Sequence, residues 1–520
     1  MIAYLRKLSA KELFICVFFL LLILNYNCLC NPPYWDDIVG LHNQAIWLAH
    51  NDFNYIKLND PGQQYYYGGS NVYPYGIIPV IYGILYKLFA PATVHFIGHV
   101  FNIACLSAAC AMAYNIMRHY TRDNLSATLW AFACLAEPVM AGRSAALGQE
   151  CPLIAFMMLI VYMMSRHRIL SAAILCFFVI LFKLTGIILG LALVVWVILY
   201  CLITISFKSN FHIKNSLAVS TLLAVISSIL GLILLACSNQ VSDDTFVLAN
   251  ITGFLHKVYD QFTIYLPIQA LYLFCAIILI GINIYIFVCV RRKKLLLRRY
   301  SFCIYLLIFI CGFYMAFFVV SQLPRYTGCV VFPLVIFICL LSYKIKISRA
   351  LALFFLVIGL VSMHGKFYSA IPPHLARSGE CLERSREYLI DLRLNQELCL
   401  LLEKNSQTNP VVAKWPYVQM FTVPEFGYVD KSLQQVYSAC IVPKYTSARG
   451  IPKSGTFPPQ TLFLYSPVIY EYWINFGVPM FPEKNDKIIY LQHKLGGDLI
   501  LYKRSDYKSS IYGKNIVVSE

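Results

Sequence analysis

The chain has 520 residues, of which 59% are apolar and only 13% are charged. This composition excludes an ordinary soluble protein and is typical of a protein that crosses a membrane many times. The formal net charge is +17, and residues 1–366 contain 25 Lys and Arg against 11 Asp and Glu. The excess charge therefore lies beside the apolar segments, which indicates basic cytoplasmic loops rather than nucleic-acid binding.

Eleven apolar segments are predicted to cross the membrane. They cover about residues 13–29, 94–117, 125–142, 152–165, 169–183, 185–206, 216–237, 264–290, 301–320, 327–343 and 350–365. The shorter run 76–89, broken by Pro79 and ended by Pro91, is predicted to lie in the interface. With this assignment, 18 basic and 2 acidic residues share the side of the N-terminus. The positive-inside rule then places the N-terminus in the cytoplasm.

The last part of the chain is more polar and is predicted to be a separate extracytoplasmic α/β domain, residues 366–520. A helix over 380–403 precedes strand-like runs at 411–415, 436–442, 461–465, 488–493 and 498–503. The fold class is therefore a polytopic α-helical membrane protein, residues 1–365, with a mixed α/β domain at its C-terminal end. Residues 31–92 form the first outer loop, with interfacial helices.

Charged and polar residues cluster at the predicted outer ends of the spans. They are Asp36 and Asp37 in the first outer loop, Glu137, Arg143, Gln149 and Glu150 in the turn 136–150, Lys183, and Arg325. Charges at membrane depth are costly and usually functional. Three cations with several carboxylates predict a site for an anionic lipid-linked ligand, with a general base beside it.

Each of these residues also has a purely structural explanation. Asp36 or Asp37 would cap a helix that begins near Ile38, and Lys183 and Arg325 would snorkel to the interface. Arg143 would pair with Glu137 or Glu150 alone. The histidines of this region fit packing or interfacial roles; they are His42, His95 and His99.

Five short motifs now stand in a recognisable order. They are Tyr34-Trp35-Asp36-Asp37, Val72-Tyr73-Pro74-Tyr75-Gly76, Gly148-Gln149-Glu150, Phe182-Lys183-Leu184-Thr185-Gly186 and Arg325-Tyr326. In this order and sidedness the chain resembles the GT-C superfamily of integral-membrane glycosyltransferases, which use polyprenyl-phosphate-linked sugars. It looks most similar to bacterial members related to protein O-mannosyltransferases and to the lipid A aminoarabinose transferases. The resemblance covers about residues 1–365.

The resemblance implies an inverting transfer of a sugar from polyprenyl phosphate to a glycan, lipid or protein acceptor, at the outer face of a bacterial inner membrane. It implies that Asp37 or Asp36 is the general base, with Asp37 preferred. Lys183, Arg325 and Arg143 would hold the donor phosphate. Contacts to acceptor or sugar would come from Glu150, Gln149, Tyr73, Tyr75 and His42. Many relatives carry Asp or Asn at the 148–150 motif, so the role of Glu150 stays open.

No cofactor is required by this chemistry, although paired carboxylates could hold Mg²⁺ or Mn²⁺. Two other function classes fit a polytopic membrane protein. A transporter or flippase of lipid-linked or small polar substrates would need access from both sides, and the paired mid-span breaks typical of transporters are missing. A non-catalytic assembly subunit would tolerate the loss of both Asp36 and Asp37.

Overall fold

The structure is a computed structural model. It describes residues 8–34, 37–54, 76–180, 182, 186–206, 266–290, 296–320, 324–362, 385–386, 388–405, 409–413, 416–438, 449–450, 461–465, 487–494 and 497–503, with a few positions between 222 and 263. Asp36, Tyr73, Tyr75, Lys183 and most of the predicted span 216–237 lie outside the described residues.

Helices dominate the part of the chain up to residue 362. They are α1 (Ala10–Leu24), α2 (Asn43–His50), α3 (Ile77–Leu88), α4 (Pro91–Thr121), α5 (Asn124–Ala136), α6 (Pro138–Arg143), α7 (Glu150–Ser165), α8 (Ile169–Ile180), α9 (Ile187–Ser206), α10 (Pro267–Val290), α11 (Leu296–Val320), α12 (Gly328–Lys344) and α13 (Ser348–Ser362). A π-helix over Asp37–His42 precedes α2. Helices are therefore found at ten of the eleven predicted spans, and the total of eleven stays a prediction.

The surface of this helical part is apolar, as expected of a protein whose solvent is lipid. Within the described residues, two helical stretches, Pro91–Thr121 and Pro267–Tyr285, are long and apolar enough to cross a membrane by length and composition. Phe274, Ile277 and Ile284 on α10 are 61%, 66% and 58% exposed. A water-soluble protein would bury such a row, so the described helices have the surface of a membrane protein.

The predicted span 125–142 is wrong in one respect, because it is two helices rather than one. Helix α5 ends at Ala136, and Glu137 is extended, with φ −62° and ψ 130°. Pro138 causes the break, since proline disfavours the helical conformation in the residue before it. The Glu137 carboxylate then accepts a hydrogen bond from Met140 N at 3.0 Å and caps α6.

Helix α12 lies at the centre of the bundle. Every residue from Gly328 to Ser342 is buried, including Pro333 within the helix. It packs against α4, α5, α7, α10 and α11. Helix α12 therefore forms the core against which these helices pack.

The basic turns between helices meet at one end of this bundle, called here the basic end. Arg166 bonds to Asn115 and His119 at the end of α4, at 3.3 and 3.0 Å. Arg349 at the start of α13 bonds to Asp123 at 2.8 Å. The remaining polar residues of interest lie at the other end. The orientation of these two ends across the membrane stays a prediction.

Beyond residue 385 the chain forms helix α14 (Tyr388–Asn405), the short helix α15 (Tyr417–Thr422) and a mixed sheet. The predicted helix over 380–403 is corrected at its start, because residues 385 and 386 form a bend and the helix begins at Tyr388. The strands are β1 (Val411–Ala413), β2 (Val436–Ser438), β3 (Arg449–Gly450), β4 (Leu462–Tyr465), β5 (Lys487–Lys494) and β6 (Gly497–Lys503).

The sheet has the order β3-β2-β1-β4-β6-β5. The first four strands in this order are parallel, and β6 runs antiparallel to β4 and β5. Five of the strands begin within one residue of their predicted positions, whereas β3 was not predicted. The domain boundary at residue 366 stays a prediction.

Tyrosines fasten this C-terminal part to the first outer loop. Tyr34 donates to the Asp391 carboxylate at 2.8 Å, and Tyr428 donates to the Pro33 carbonyl at 2.9 Å. Burial and the Asp391 carboxylate raise the pKa of Tyr34 well above its usual value, so the phenol remains a donor. Gly142 lies directly under the Ser385 backbone, where an added Cβ would be 2.5 Å from the carbonyl oxygen.

We expect Gly142→Ala to loosen the C-terminal part, because the new methyl group has no room beneath Ser385. Limited proteolysis should cleave near residue 385 several-fold faster than in the wild type. Gly281→Ala is the matched control, since a Cβ at Gly281 meets no atom within 4 Å. Equal cleavage rates in both variants would contradict the packing described here.

Candidate functional site

The site is built around the loop between α6 and α7. Hydrogen bonds from α4 hold this loop in place. The buried Asn102 side chain donates to the carbonyls of Ala146 and Gly148, at 2.9 and 3.0 Å. The Ser144 hydroxyl accepts from Asn25 at 3.2 Å. Backbone groups in an apolar surrounding need such partners, and these bonds fix the path of the loop before its acidic residue.

Asp37 approaches this loop from the first outer segment. It is the first residue of the π-helix Asp37–His42, and its side chain is 6% exposed. Helices of this type are rare and frequently mark functional sites. Asp37 therefore lies in the helix, one residue before the predicted start at Ile38.

Gly148 is the point at which two carboxylates meet. A Cβ built on Gly148 would be 3.0 and 3.1 Å from the two carboxylate oxygens of Asp37, and it would overlap Oε2 of Glu150. Any side chain at this position would displace one of the acids. The absence of a side chain at Gly148 thus allows Asp37 and Glu150 to form an acid pair.

Arg143 supplies the positive charge beside the acid pair. Its Nη1 lies 3.9 Å from Oε2 of Glu150, and both side chains are only 2% exposed. The guanidinium also lies over the ring of Tyr388 at 5.8 Å, a cation–π distance. Of the alternatives left open by the sequence, the structure brings together Arg143 and Glu150.

A hydrogen-bonded aromatic cluster adjoins Asp37 on its other side. His42 Nδ1 is 2.7 Å from the Tyr86 hydroxyl, which is 3.2 Å from His95 Nε2. The Tyr82 ring lies 4.7 Å from the ring of His42. Burial and the Asp37 charge raise the pKa of Tyr82, and burial lowers the pKa of His42. Both side chains are therefore neutral beside the acid pair.

A second polar network links Glu137 to the segment that carries Arg325. Gln269 donates to the Glu137 carboxylate at 3.2 Å and to the Thr327 hydroxyl at 2.8 Å, and it accepts from Tyr314 at 2.9 Å. Thr327 ends the short 3₁₀ helix Pro324–Thr327, which contains Arg325. Glu137 is thus a structural cap and anchor, outside the acid pair.

Apart from Arg325, which lies in the 3₁₀ helix Pro324–Thr327, the predicted site residues fall into three groups. Asp37, Arg143 and Glu150 are brought together, with His42 next to them. Gln149 is half-buried immediately before α7, without a side-chain capping bond. Asp36, Lys183, Tyr73 and Tyr75 lie outside the described residues, and the predicted functional roles of the whole set stay predictions.

Sequence reasoning missed several residues that shape the site, namely Tyr82, Tyr86, Asn102, Gln269 and Tyr388. All are uncharged and lie in apolar or amphipathic helices, so charge gave no signal. The one available clue was an amide in an otherwise apolar run, at Asn102 and Gln269. Within the described part of the chain, no group of three or more His, Cys, Asp and Glu side chains is arranged to hold a metal ion.

No family model matches the sequence, and no curated protein matches it. Among solved structures, the chain is similar to ArnT from Cupriavidus metallidurans, whose crystal structure has undecaprenyl phosphate bound. Sequence identity is 12% and the TM-score is 0.47, with 97% of this chain and 99% of that chain covered. ArnT is of the group that the sequence motifs resemble. A similarity at 12% identity does not assign a function to this chain, so its function has to be inferred from its own residues.

The Arg143–Glu150 pair can be tested by a double-mutant cycle. We expect Arg143→Met to destabilise the protein by about 3 kcal/mol, because it leaves a buried carboxylate without its cation. The double variant Arg143→Met/Glu150→Gln should be closer to the wild type in stability, since the Glu150 carboxylate is then no longer left without its cation. Thermal unfolding in detergent, followed by tryptophan fluorescence, measures the double variant and the two single variants, Arg143→Met and Glu150→Gln. Additive losses in the double variant would show that the two side chains do not interact.

Proposed function

We propose that the protein is a glycosyltransferase that moves a sugar from a polyprenyl-phosphate donor to an acceptor at the outer face of the membrane in which it lies. The observation that carries the proposal is the acid pair of Asp37 and Glu150 at Gly148, with Arg143 beside it. Burial of a carboxylate in an apolar helical bundle costs free energy, and this bundle buries two carboxylates side by side near one of its ends. The sequence motifs that resemble GT-C enzymes supply the class of donor.

Asp37 is the proposed general base. It is more accessible than Glu150, at 6% against 1% exposure, and Glu150 has the guanidinium of Arg143 as its neighbour. A base must reach the hydroxyl that it deprotonates, to about 3 Å. Asp37 is therefore the better candidate of the two for contact with an acceptor, while Glu150 is paired with Arg143.

The proposed reaction breaks one bond and forms one. The acceptor hydroxyl oxygen attacks the anomeric carbon while its proton passes to the Asp37 carboxylate. The bond from that carbon to the phosphate oxygen breaks, and polyprenyl phosphate leaves with the electron pair. Attack opposite the leaving group inverts the anomeric centre.

Cations near the leaving phosphate would stabilise the charge that develops on it. Arg325 and Lys183 are the proposed donor ligands, as the sequence motifs imply. Arg143 was predicted to join them, but its position between Glu150 and Tyr388 favours a supporting role. The donor phosphate is thus assigned to the two cations farther along the chain.

The C-terminal part is proposed to close the acceptor side of the site. Tyr388 at the start of α14 lies against Arg143, and its hydroxyl is 3.4 Å from the Gly142 carbonyl. Tyr34, next to the predicted acidic motif, is bonded to Asp391 of the same helix. A movement of α14 would therefore change the surroundings of the acid pair directly.

The proposed chemistry requires no cofactor. The two carboxylates of Asp37 and Glu150 are the place where Mg²⁺ or Mn²⁺ would bind, because hard cations prefer carboxylate oxygens. The proposed location is the inner membrane of a bacterium, with the N-terminus of the protein in the cytoplasm. The proposed acceptor is a glycan, a lipid or a protein of the cell envelope.

Asp37→Asn should lower turnover by about 10²- to 10⁴-fold, the usual contribution of a general base. The assay measures release of polyprenyl phosphate from radiolabelled polyprenyl-phosphate sugars by the purified protein in lipid, with candidate acceptors present. Asp52→Asn is the matched control in the same outer segment, because Asp52 is exposed and pairs with Lys87 at the surface. Full activity of Asp37→Asn would exclude the proposed base.

Gly148→Ala tests the geometry of the acid pair without removing either acid. The added methyl group would push the Asp37 and Glu150 carboxylates out of position, so we expect turnover to fall at least tenfold, as small displacements of catalytic groups do. Activity is compared per folded molecule with Gly281→Ala. If Gly148→Ala turns over at the control rate, the acid pair is not the reacting centre. Donor-independent flux of substrate would instead favour a transporter.

A further inference from the structure

A large groove lies at the basic end of the bundle, away from the acid pair. Its volume is about 1200 Å³, and it lies between the turn that joins α4 to α5 and the turn that joins α12 to α13. Its charged lining residues are Arg122, Asp123, Lys344, Lys346 and Arg349. Four of these are cations and one is an acid, so the groove attracts an anion.

Two of the groove's cations lie at turns with an unusual backbone, and a third is bonded to a carboxylate. Arg122 and Lys346 each follow a helix C-terminus in the left-handed conformation, with φ of 56° and 61°. That backbone costs a residue other than glycine about 1 kcal/mol or more. Arg349 Nε bonds to Asp123 at 2.8 Å, and Asp123 also accepts from Ser126 N at 3.2 Å. Asp123 therefore holds the guanidinium of Arg349 in place at the groove.

A buried hydroxyl joins two helices at the wall of the groove. Ser348 Oγ accepts from the Trp130 indole at 2.9 Å and lies 2.8 Å from the Ser126 hydroxyl. These bonds fasten the first residue of α13 to α5. The opening between the two turns is thus a feature of the packed bundle.

The surface next to the groove is apolar and points to a lipid rather than a soluble anion. On α13, Leu353 follows Arg349 by four residues and Val357 follows by eight, so the three share one face. Leu353 and Val357 are 53% and 49% exposed, and Leu360 continues the same apolar strip. A headgroup bound at Arg349 would have its acyl chains along this strip.

We propose that this groove binds the phosphate of an anionic phospholipid, with the headgroup among Arg122, Lys346 and Arg349 and the acyl chains along α13. The groove is positive overall, and a phosphate diester carries a negative charge for which arginine is a preferred partner. The site is separate from the acid pair, so its occupancy does not depend on the proposed transferase activity.

The experiment compares lipid retention by the full chain and by two charge-matched variants. The protein is reconstituted in nanodiscs that contain equal amounts of phosphatidylglycerol and phosphatidylcholine, and native mass spectrometry counts the lipids that remain bound. The test variant is Arg122→Gln/Lys346→Gln. The control variant is Lys11→Gln/Arg168→Gln, which removes two exposed cations that do not line the groove.

We expect selective retention of phosphatidylglycerol by the wild type and the control, and a loss on the order of tenfold in the test variant. An equal loss in both variants would overturn the site, because general surface charge would then explain the binding. Lack of preference for phosphatidylglycerol in the wild type would overturn it as well. Displacement of the lipid by millimolar glycerol 3-phosphate would assign the groove to a soluble phosphate and overturn the lipid as its occupant.

Discussion

The burial of charge is the constraint on which the rest of this structure depends. Asp37 and Glu150 are almost fully buried at Gly148, and two carboxylates in a medium of low dielectric constant repel one another strongly. Arg143 offsets part of this repulsion. The surrounding structure holds the three groups together through bonds that involve no charge, above all the clamp of Asn102 on the α6–α7 loop.

The same constraint explains why so many tyrosines surround the site. A tyrosine offers an apolar ring to the bundle and a hydroxyl to a buried polar partner. Tyr34 and Tyr428 join the C-terminal part to the first outer segment in this way, and Tyr86 joins two histidines. Neutral donors of this kind satisfy polar groups and add no further charge to an already charged region.

Much of this organisation was predictable from the sequence because charge in an apolar context is conspicuous. The sequence indicates Asp37, Arg143 and Glu150 as site residues, and the structure brings them together. Pro138 indicates the break at Glu137, but the sequence stays apolar on both sides of this proline and therefore resembles one continuous span. The partners Asn102 and Tyr388 were not found, since their role depends on which helices meet, and that is decided by tertiary packing.

The length of α4 relates the two ends of the molecule to the thickness of a bilayer. Asn102 lies beside the acid pair and Arg122 lies at the groove, and their separation of twenty positions corresponds to a rise of about 30 Å along the helix. This equals the thickness of the hydrocarbon layer of a typical membrane. An upright α4 therefore sets its two polar regions at the two borders of the hydrocarbon. In a thinner or thicker bilayer, the helix would tilt or the surrounding lipid would deform, each at a cost in free energy. The acid pair and the groove would both be affected, because α4 connects them.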